Sequence, residues 1–535
     1  MKPLGFEWLA LAQINATVGD ITGNMMHIRA ARAEARALGA EMLACPELSI
    51  CGYPPEDLML RPSFRHACME AVRQLASETA EKGPALLVGS PWEEDGRVYN
   101  AALLLDDGGI AHIHRKVHLP NYGVFDERRI FDAGPAPEVA HWRRRALGIM
   151  VCEDVWYTDA PSILAAKGAQ ALVVINASPF EVGKMAQRQA RCAKAARAAK
   201  LPIAYVNLAG GQDDIVFDGG AFAMNAAGEV TMQSTRFAES VVAAAPVARV
   251  PELTPEEETW QALCTGLGDY VRKNGFTGVL LGLSGGIDSS LTAALAVEAL
   301  GREAVLGVLL PSEFTSRESV EDALALSANL GIETANVSIQ ACRRAAHEAL
   351  SATLPEARRM TLPVDGNIQA RLRGLMLMAL SNATGRMLLA TSNKSEVATG
   401  YTTLYGDSCG GYAPLKDVYK TQLYRLAHWR NESNPLIPER SIAKAPTAEL
   451  APHQKDEDQL PPYPVLDAVL ERIIEQSLSV DDIEEEGYER AMVERIMQMV
   501  RTAEYKRRQL PPGVKVSSMT FGRDWRYPLT NGFKG

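Results

Sequence analysis

Two groups of residues in this sequence have side chains and surroundings suited to bond-making chemistry. The first centres on Cys152, which closes the apolar run ALGIMV. Glu47 closes EMLACPEL, and Lys116 stands in HRKVHLPNYGVFDE beside the end of another apolar run. A carboxylate to take a thiol proton, a sulfur to attack and a cation to hold an oxyanion suffice for amide hydrolysis through a thioester. The second group is the loop Gly282, Leu283, Ser284, Gly285, Gly286, Ile287, Asp288 and Ser289, which follows VLL and opens SSLTAALAVEAL. Consecutive glycines let the backbone approach an anion, and a helix N-terminus offers it unpaired N–H groups. The loop has neither the GxxxxGK[ST] nor the GxGxxG spacing, which excludes a Walker NTPase and a dinucleotide fingerprint.

Each group needs elements that bring its members together. Before residue 246, short apolar runs (WLALAQI, EMLACPEL, ALLVGS, AALLLDD, ALGIMVCED, ALVVINAS, PIAYVN) alternate with helical stretches such as 24–38 and 186–200. That pattern predicts layered α/β structure in which strand ends deliver side chains to one rim. The segment PVARVPELTPEEETW, residues 246–260, breaks regular structure with three prolines. Within it Thr254, Pro255 and Glu257 read as an N-cap, first-turn proline and capping acid opening a new helix. Beyond it GVLLGLSGGIDSS, AVLGVLLP and RMLLATSN are each followed by a helical pattern, for instance over 319–330. Strand–helix alternation of this kind predicts a doubly wound parallel sheet. The expected division is therefore 1–250 and 251–535, with a mainly helical, charged end after Tyr463.

Composition narrows the partners. Of 535 residues, 47% are apolar and 22% charged, with a net charge of −10, so neither nucleic acid nor an anionic membrane is an expected partner. No run approaches a membrane span, no secretory leader is expected, and the cytoplasm is the expected compartment. The eight cysteines form no Cys-x-x-Cys pair, against a zinc ribbon or a disulfide framework. His112, His114 and His118 lie close together, yet lack a neighbouring cysteine or well-spaced carboxylate and are read as packed or solvated rather than metal ligands.

The loop 282–289 resembles the pyrophosphatase loop of the N-type ATP pyrophosphatases. The stretches NIQARLRGLMLMALSN, LLATSNKSEVATGYTTLYGDSCGGYAPLKDVYKTQL and APTAELAPHQKDEDQLPPYPVLD resemble NAD synthetases. This resemblance implies that the loop and Thr391 hold ATP. It also implies that Asn367, Glu396 and Lys506 bind deamido-NAD, and that Asp288 and Glu396 hold Mg2+. Asp407 is a further candidate for metal or substrate, and Lys416 and Lys420 for the departing pyrophosphate. Arg371, Arg373, Asp456 and Asp458 are raised by the resemblance alone.

CPEL, RKVHLPNY and CEDVW, in the order Glu, Lys, Cys, resemble the nitrilase (carbon–nitrogen hydrolase) superfamily over residues 5–240. That implies an α-β-β-α sandwich with Glu47 as general base, Lys116 as oxyanion stabiliser and Cys152 as nucleophile, the Glu153 N–H completing the oxyanion hole. Tyr122, Ser178 and Lys184 match glutamine-binding positions, with Glu127, Glu153 and Trp156 as weaker pocket candidates. Together the halves resemble the glutamine-dependent NAD synthetase family, whose substrates are glutamine, ATP and deamido-NAD and whose members are at least dimers. Other glutamine-fed adenylating enzymes fit less well. No Gly-x-Cys-x-Gly glutaminase is present, and Lys2 rather than cysteine follows Met1. A scaffold that binds nucleotide without turnover is disfavoured by the intact Glu47, Lys116, Cys152 and loop.

Overall fold

The apolar runs before residue 246 become strands whose alternate side chains face two different cores. The computed structural model describes residues 5–246, 250–452 and 454–533, so 247–249 of the expected linker lie outside the described residues. The chain divides into two compact units, Met1–Thr254 and Pro255–Gly535.

In the first unit one sheet has the order β14-β1-β2-β3-β4-β5. Its strands are β1 (Leu9–Gln13), β2 (Met42–Ala44), β3 (Ala85–Glu94), β4 (Arg97–Asp106), β5 (Gly109–Arg115) and β14 (Ser240–Ala243). A second sheet, β13-β12-β9-β8-β7-β6, is built from β6 (Val139–Trp142), β7 (Arg145–Val151), β8 (Ala171–Asn176), β9 (Ile203–Asn207), β12 (Phe222–Met224) and β13 (Val230–Gln233). A hairpin of β10 (Ala209–Gln212) and β11 (Ile215–Asp218) stands apart from both.

The period-two pattern of strands decides the layering. Leu9 and Leu11 of β1 share a buried core with Leu147, Ile149 and Val151 of β7, and with Val173 and Ile175 of β8. Ala10 and Ala12 instead join Ile28 of α1 (Ile21–Ala37) and Val72 of α2 (Pro62–Glu78). On the far side Met150, Leu172 and Val174 pack with Leu164 of α3 (Asp159–Ala166) and Cys192 of α4 (Lys184–Ala199). Helix, sheet, sheet, helix is the resulting order, as expected. The adjacent parallel strands β7 and β8 pair Val151 with Ile175, so Cys152 and Ala177 leave the sheet at the same edge.

In the second unit α5 (Pro255–Lys273) carries three glutamates in its first turn, where the helix dipole favours them. The sheet that follows is parallel throughout, in the order β17-β16-β15-β18, with β15 (Val279–Gly282), β16 (Val305–Leu309), β17 (Glu333–Asn336) and β18 (Met387–Leu388). From β15 the chain moves outward through α6 (Ile287–Leu300) and α7 (Arg317–Leu330). It returns through α8 (Gln340–Leu350), α9 (Glu356–Arg359) and α10 (Asn367–Thr384) to β18 on the other side of β15. The reversal places a topological switch point at the carboxyl end of β15, where open α/β sheets bind ligands. The glycine-rich loop begins there.

Candidate functional site

In the first unit the loop after β2 delivers Glu47, the turn after β5 delivers Lys116, and the end of β7 delivers Cys152. All three are buried. Lys116 Nζ donates to Glu47 Oε1 at 2.7 Å and to Glu127 Oε1 at 2.8 Å. Glu47 is held from further directions, by Asn100 Nδ2 on Oε1 (2.7 Å) and by the Ala177 N–H on Oε2 (2.8 Å). A Cβ at position 89 would lie 2.2 Å from Leu48 N and 2.7 Å from the Glu47 carbonyl carbon, so Gly89 of β3 is what lets the Glu47 loop settle so close.

The electrostatics assign a division of labour. Burial, and after it Glu47, push the Cys152 thiol well above its ordinary pKa against the pull of Lys116. The resting sulfur is therefore a thiol that needs a base as it attacks. Burial works against the charge of Lys116, but Glu127 and Glu47 outweigh it and keep the ammonium protonated. Glu127 is itself pushed up to about 7 by burial, with Lys116 opposing. Its Oε1 also accepts from Tyr53 Oη at 2.9 Å. Glu127, a weaker pocket candidate in the sequence, lies directly on the Lys116 ammonium.

Cys152 has φ +44°, a left-handed conformation costing a non-glycine residue about 1–2 kcal/mol. It opens a 3-10 turn, Cys152–Val155, whose first N–H groups, including that of Glu153, have no partner within the turn. Asp154 holds this geometry. Its buried carboxylate accepts from Val151 N (3.1 Å), Val117 N (3.0 Å), His118 N (2.9 Å) and His114 Nε2 (2.9 Å), tying the Cys152 turn to the segment that carries Lys116. His114 thus serves a carboxylate. His118 contacts Asp159 and stacks on Tyr157, and burial pushes His112 down to about 4.

At the rim Tyr122 Oη donates to Glu153 Oε2 at 3.0 Å. Lys184 pairs with Glu181 at 2.9 Å, 5.3 Å from the Trp156 ring centroid. Ser178 follows β8 and is buried. The rim thus offers a cation, a hydroxyl and a buried carboxylate that burial holds above its ordinary pKa, which suits a zwitterionic amide substrate.

In the second unit a cavity of about 520 Å³ opens over the switch point. Gly282, Leu283, Ser284, Gly286, Ile287, Asp288 and Ser289 line it, as do Thr391, Asn367, Glu396 and Lys506. Gly285 lies beneath, at φ +79°, where a Cβ would come within 2.3 Å of the Ser319 carbonyl oxygen. Ser284 Oγ and Ser289 Oγ are 3.0 Å apart and close the loop on itself, with Gly286 N donating to Ser284 Oγ. Asp288 receives Lys420 Nζ at 2.6 Å and Asn393 Nδ2 at 2.8 Å. Burial first, then Asp288, push Glu396 up to about 8, although Lys420 Nζ stands 3.5 Å away. Asp456 also lines the cavity and is raised mainly by burial. Lys506 Nζ donates to the carbonyls of Gly400 and Thr402, and Asn367 Oδ1 accepts from Thr403.

The two lysines expected at the pyrophosphate separate here. Lys420 lines the cavity, whereas Lys416 is buried on the Pro511 carbonyl at 2.8 Å and does not. Of the arginines, Arg373 lines the cavity and Arg371 donates to the Leu404 carbonyl outside it. Asp407 lines the cavity, and Asp458 caps Lys455 N. Asn100, Asp154 and Asn393 were not anticipated. Only Asp154 has a local signal, an acid two residues past the nucleophile.

The comparisons agree with this geometry. The carbon-nitrogen hydrolase family model matches residues 8–251 and the NAD synthase model residues 259–511. Glutamine-dependent NAD(+) synthetases of Thermotoga maritima and Rhodobacter capsulatus are each 43% identical, covering 98% of this chain and 99% and 98% of their own. The solved synthetase of Acinetobacter baumannii, in complex with ADP, is 38% identical with a TM-score of 0.79, covering 98% of each chain. That of Cytophaga hutchinsonii, at 24% identity and TM-score 0.86 over 98% of this chain and 97% of that one, shares the fold. A chain that joins a buried Cys152–Glu47–Lys116 group to a Ser-Gly-Gly-Ile-Asp-Ser cavity, and matches these relatives end to end, belongs to the glutamine-dependent NAD(+) synthetase family.

Proposed function

We infer that the chain amidates deamido-NAD to NAD, with glutamine as nitrogen donor, releasing glutamate, AMP and pyrophosphate. In the first unit Glu47 takes the thiol proton as Cys152 Sγ bonds to the amide carbon. Lys116 Nζ and the Glu153 N–H hold the oxyanion. Collapse returns the proton to nitrogen and expels ammonia, leaving a glutamyl thioester. Water then attacks that thioester while Glu47 takes its proton, the C–S bond breaks, the sulfur regains that proton from Glu47, and glutamate leaves.

In the second unit the carboxylate of the nicotinate ring attacks the α-phosphorus of ATP, and the P–O bond to pyrophosphate breaks. The loop N–H groups and Lys420 offset charge on the departing pyrophosphate. Ammonia adds to the acyl-adenylate carbon, AMP leaves, and a proton is lost from nitrogen. Ammonia is mostly protonated near neutral pH and must travel as the free base, so release and use are matched in one chain.

Asp288 and Glu396 are the proposed Mg2+ ligands. Among the described residues no group of three or more His, Cys, Asp or Glu side chains is placed to enclose a metal ion. Two carboxylates in a phosphate cavity instead suit an ion that completes its shell with phosphate oxygens and water. Burial, and after it the neighbouring Asp288, raise Glu396, and a cation held between the two carboxylates would oppose both effects. The ion supplies charge neutralisation on the triphosphate.

A homo-oligomer, at least a dimer, is part of the proposal. It is supported by α10, which exposes Leu375 (60%) and Met378 (36%). No described helix is long and apolar enough to cross a membrane, and the cytoplasm, which supplies ATP and glutamine, is the compartment proposed. The pairing of a buried thiol-base-cation group with a pyrophosphatase-type loop carries the reading. Its test is Cys152→Ala: glutamine-driven NAD formation should vanish while ammonium-driven formation survives, and loss of both would refute the division of labour.

A further inference from the structure

Ser178 belongs to the proposed glutamine pocket, and a residue outside that pocket governs which way its hydroxyl can act. Arg188 lies one turn beyond Lys184 on α4, among the most deeply buried large side chains of the molecule. Its Nε donates to Ser178 Oγ at 3.0 Å. Its Nη2 donates to the carbonyls of Ser178 (2.7 Å) and Pro179 (3.0 Å), and its Nη1 to Asp218 Oδ1 at 2.6 Å. Asp218 also receives Arg236 Nε at 3.0 Å on its other oxygen, which fixes the carboxylate that fixes Arg188. The Ser178 backbone is pinned separately. Its N–H donates to Asn207 Oδ1 at 2.8 Å and its carbonyl accepts from Asn207 Nδ2 at 3.0 Å.

A guanidinium has five donors and no acceptor. A hydroxyl that accepts from it cannot donate to it, so the Ser178 proton must point elsewhere. We propose that Arg188 is a positioning residue for glutamine: it makes the Ser178 hydroxyl a donor and so commits that position to an acceptor oxygen of the substrate. This rests on the glutaminase reading of the first unit. Arg188 does not touch the substrate, and a planar fork is required because four acceptors are met in one plane-like array. A lysine keeps the charge opposite Asp218 but cannot reach Ser178 Oγ, the two carbonyls and Asp218 together.

The experiment uses the full chain and steady-state glutaminase kinetics for Arg188→Lys, Ser178→Ala and the double variant, with glutamine as the probe. Ammonium-driven NAD formation, made in the second unit, normalises the amount of active enzyme. Arg188→Lys and Ser178→Ala should each raise KM for glutamine about ten- to hundredfold, with kcat changed by less than about threefold. The double variant should be no worse than Ser178→Ala, because Arg188 acts through that hydroxyl.

An unchanged KM in Ser178→Ala would overturn the proposal even if Arg188→Lys fails to fold. So would multiplicative effects in the double variant, which would place Arg188 in general packing. A native chain that releases no glutamate from glutamine would instead bring down the underlying glutaminase reading, a separate result.

Discussion

The two sites solve opposite electrostatic problems. In the first unit the charges are complete before any substrate arrives: Lys116 is clasped by Glu47 and Glu127, all three are buried, and Asp154 locks the turn that bears Cys152. In the second unit the cavity is roomy, and beside the glycine-rich loop its carboxylates outnumber the lysine they face. Asp288, Glu396 and Asp456 share Lys420, and Glu396 is pushed up to about 8. Thioester chemistry is done by protein groups, which must be placed in advance. Adenylation is done between two substrates, which bring their own phosphates and counter-ion, so the protein supplies a cradle and leaves charge unmatched until they bind.

Breaking the pre-assembled site should have the largest effect. Lys116→Met removes both the oxyanion cation and the counter-charge of two buried carboxylates. Glutamine-driven NAD formation should fall by about a thousandfold or more, read as glutamate release per active enzyme. Activity retained within tenfold would mean that Lys116 is a structural cation only. Asp288→Asn should cut glutamine- and ammonium-driven synthesis together by about a hundredfold, while glutamate release from glutamine persists. An effect confined to the glutamine-driven reaction would contradict the placement of Asp288 at the nucleotide.

The contrast also explains what the sequence made legible. The nucleophile, base and cation each stand near the end of an apolar run, so a layered α/β reading could gather them. Helix limits expected at 24–38, 186–200 and 319–330 are observed at Ile21–Ala37, Lys184–Ala199 and Arg317–Leu330. The larger shifts, of two or three residues, sit at the N-termini, at two of which Asp20 and Ser316 cap by accepting from Gly23 N and Ser319 N; the C-termini differ by one residue at most. The hairpin β10–β11 was not anticipated, since AGGQ has little strand character by itself.

The supporting residues were hidden for a different reason. Asn100 meets Glu47 across 53 positions and Asn393 meets Asp288 across 105, contacts that only the folded sheets create. Arg188 sits in an alanine-rich helix like any surface arginine, and its burial depends on Asp218, 30 residues further on. Motifs report the groups that act. Their supports come from tertiary structure.

The smallest expected effect concerns pH, and it tests how pre-assembled the first site is. Glu127 has its folded pKa raised to about 7, chiefly by burial, above the ordinary value it regains on unfolding. Between about 4.5 and 7 the folded state therefore binds more protons than the unfolded one, and linkage makes stability fall as pH rises through that window. Its stabilising contribution is complete at the acid end and is lost as Glu127 ionises. The loss is on the order of 3 kcal/mol at most. Glu127→Gln keeps the size of the side chain and cannot ionise. Relative to the native chain, its first unit should gain stability as pH rises from 5 to 8, read as thermal or denaturant unfolding followed by a first-unit probe. A constant difference across that range would mean that Lys116 holds Glu127 ionised throughout. The site would then contain a cation fully paired with two carboxylate anions rather than one paired with an anion and a carboxyl group that shares the proton.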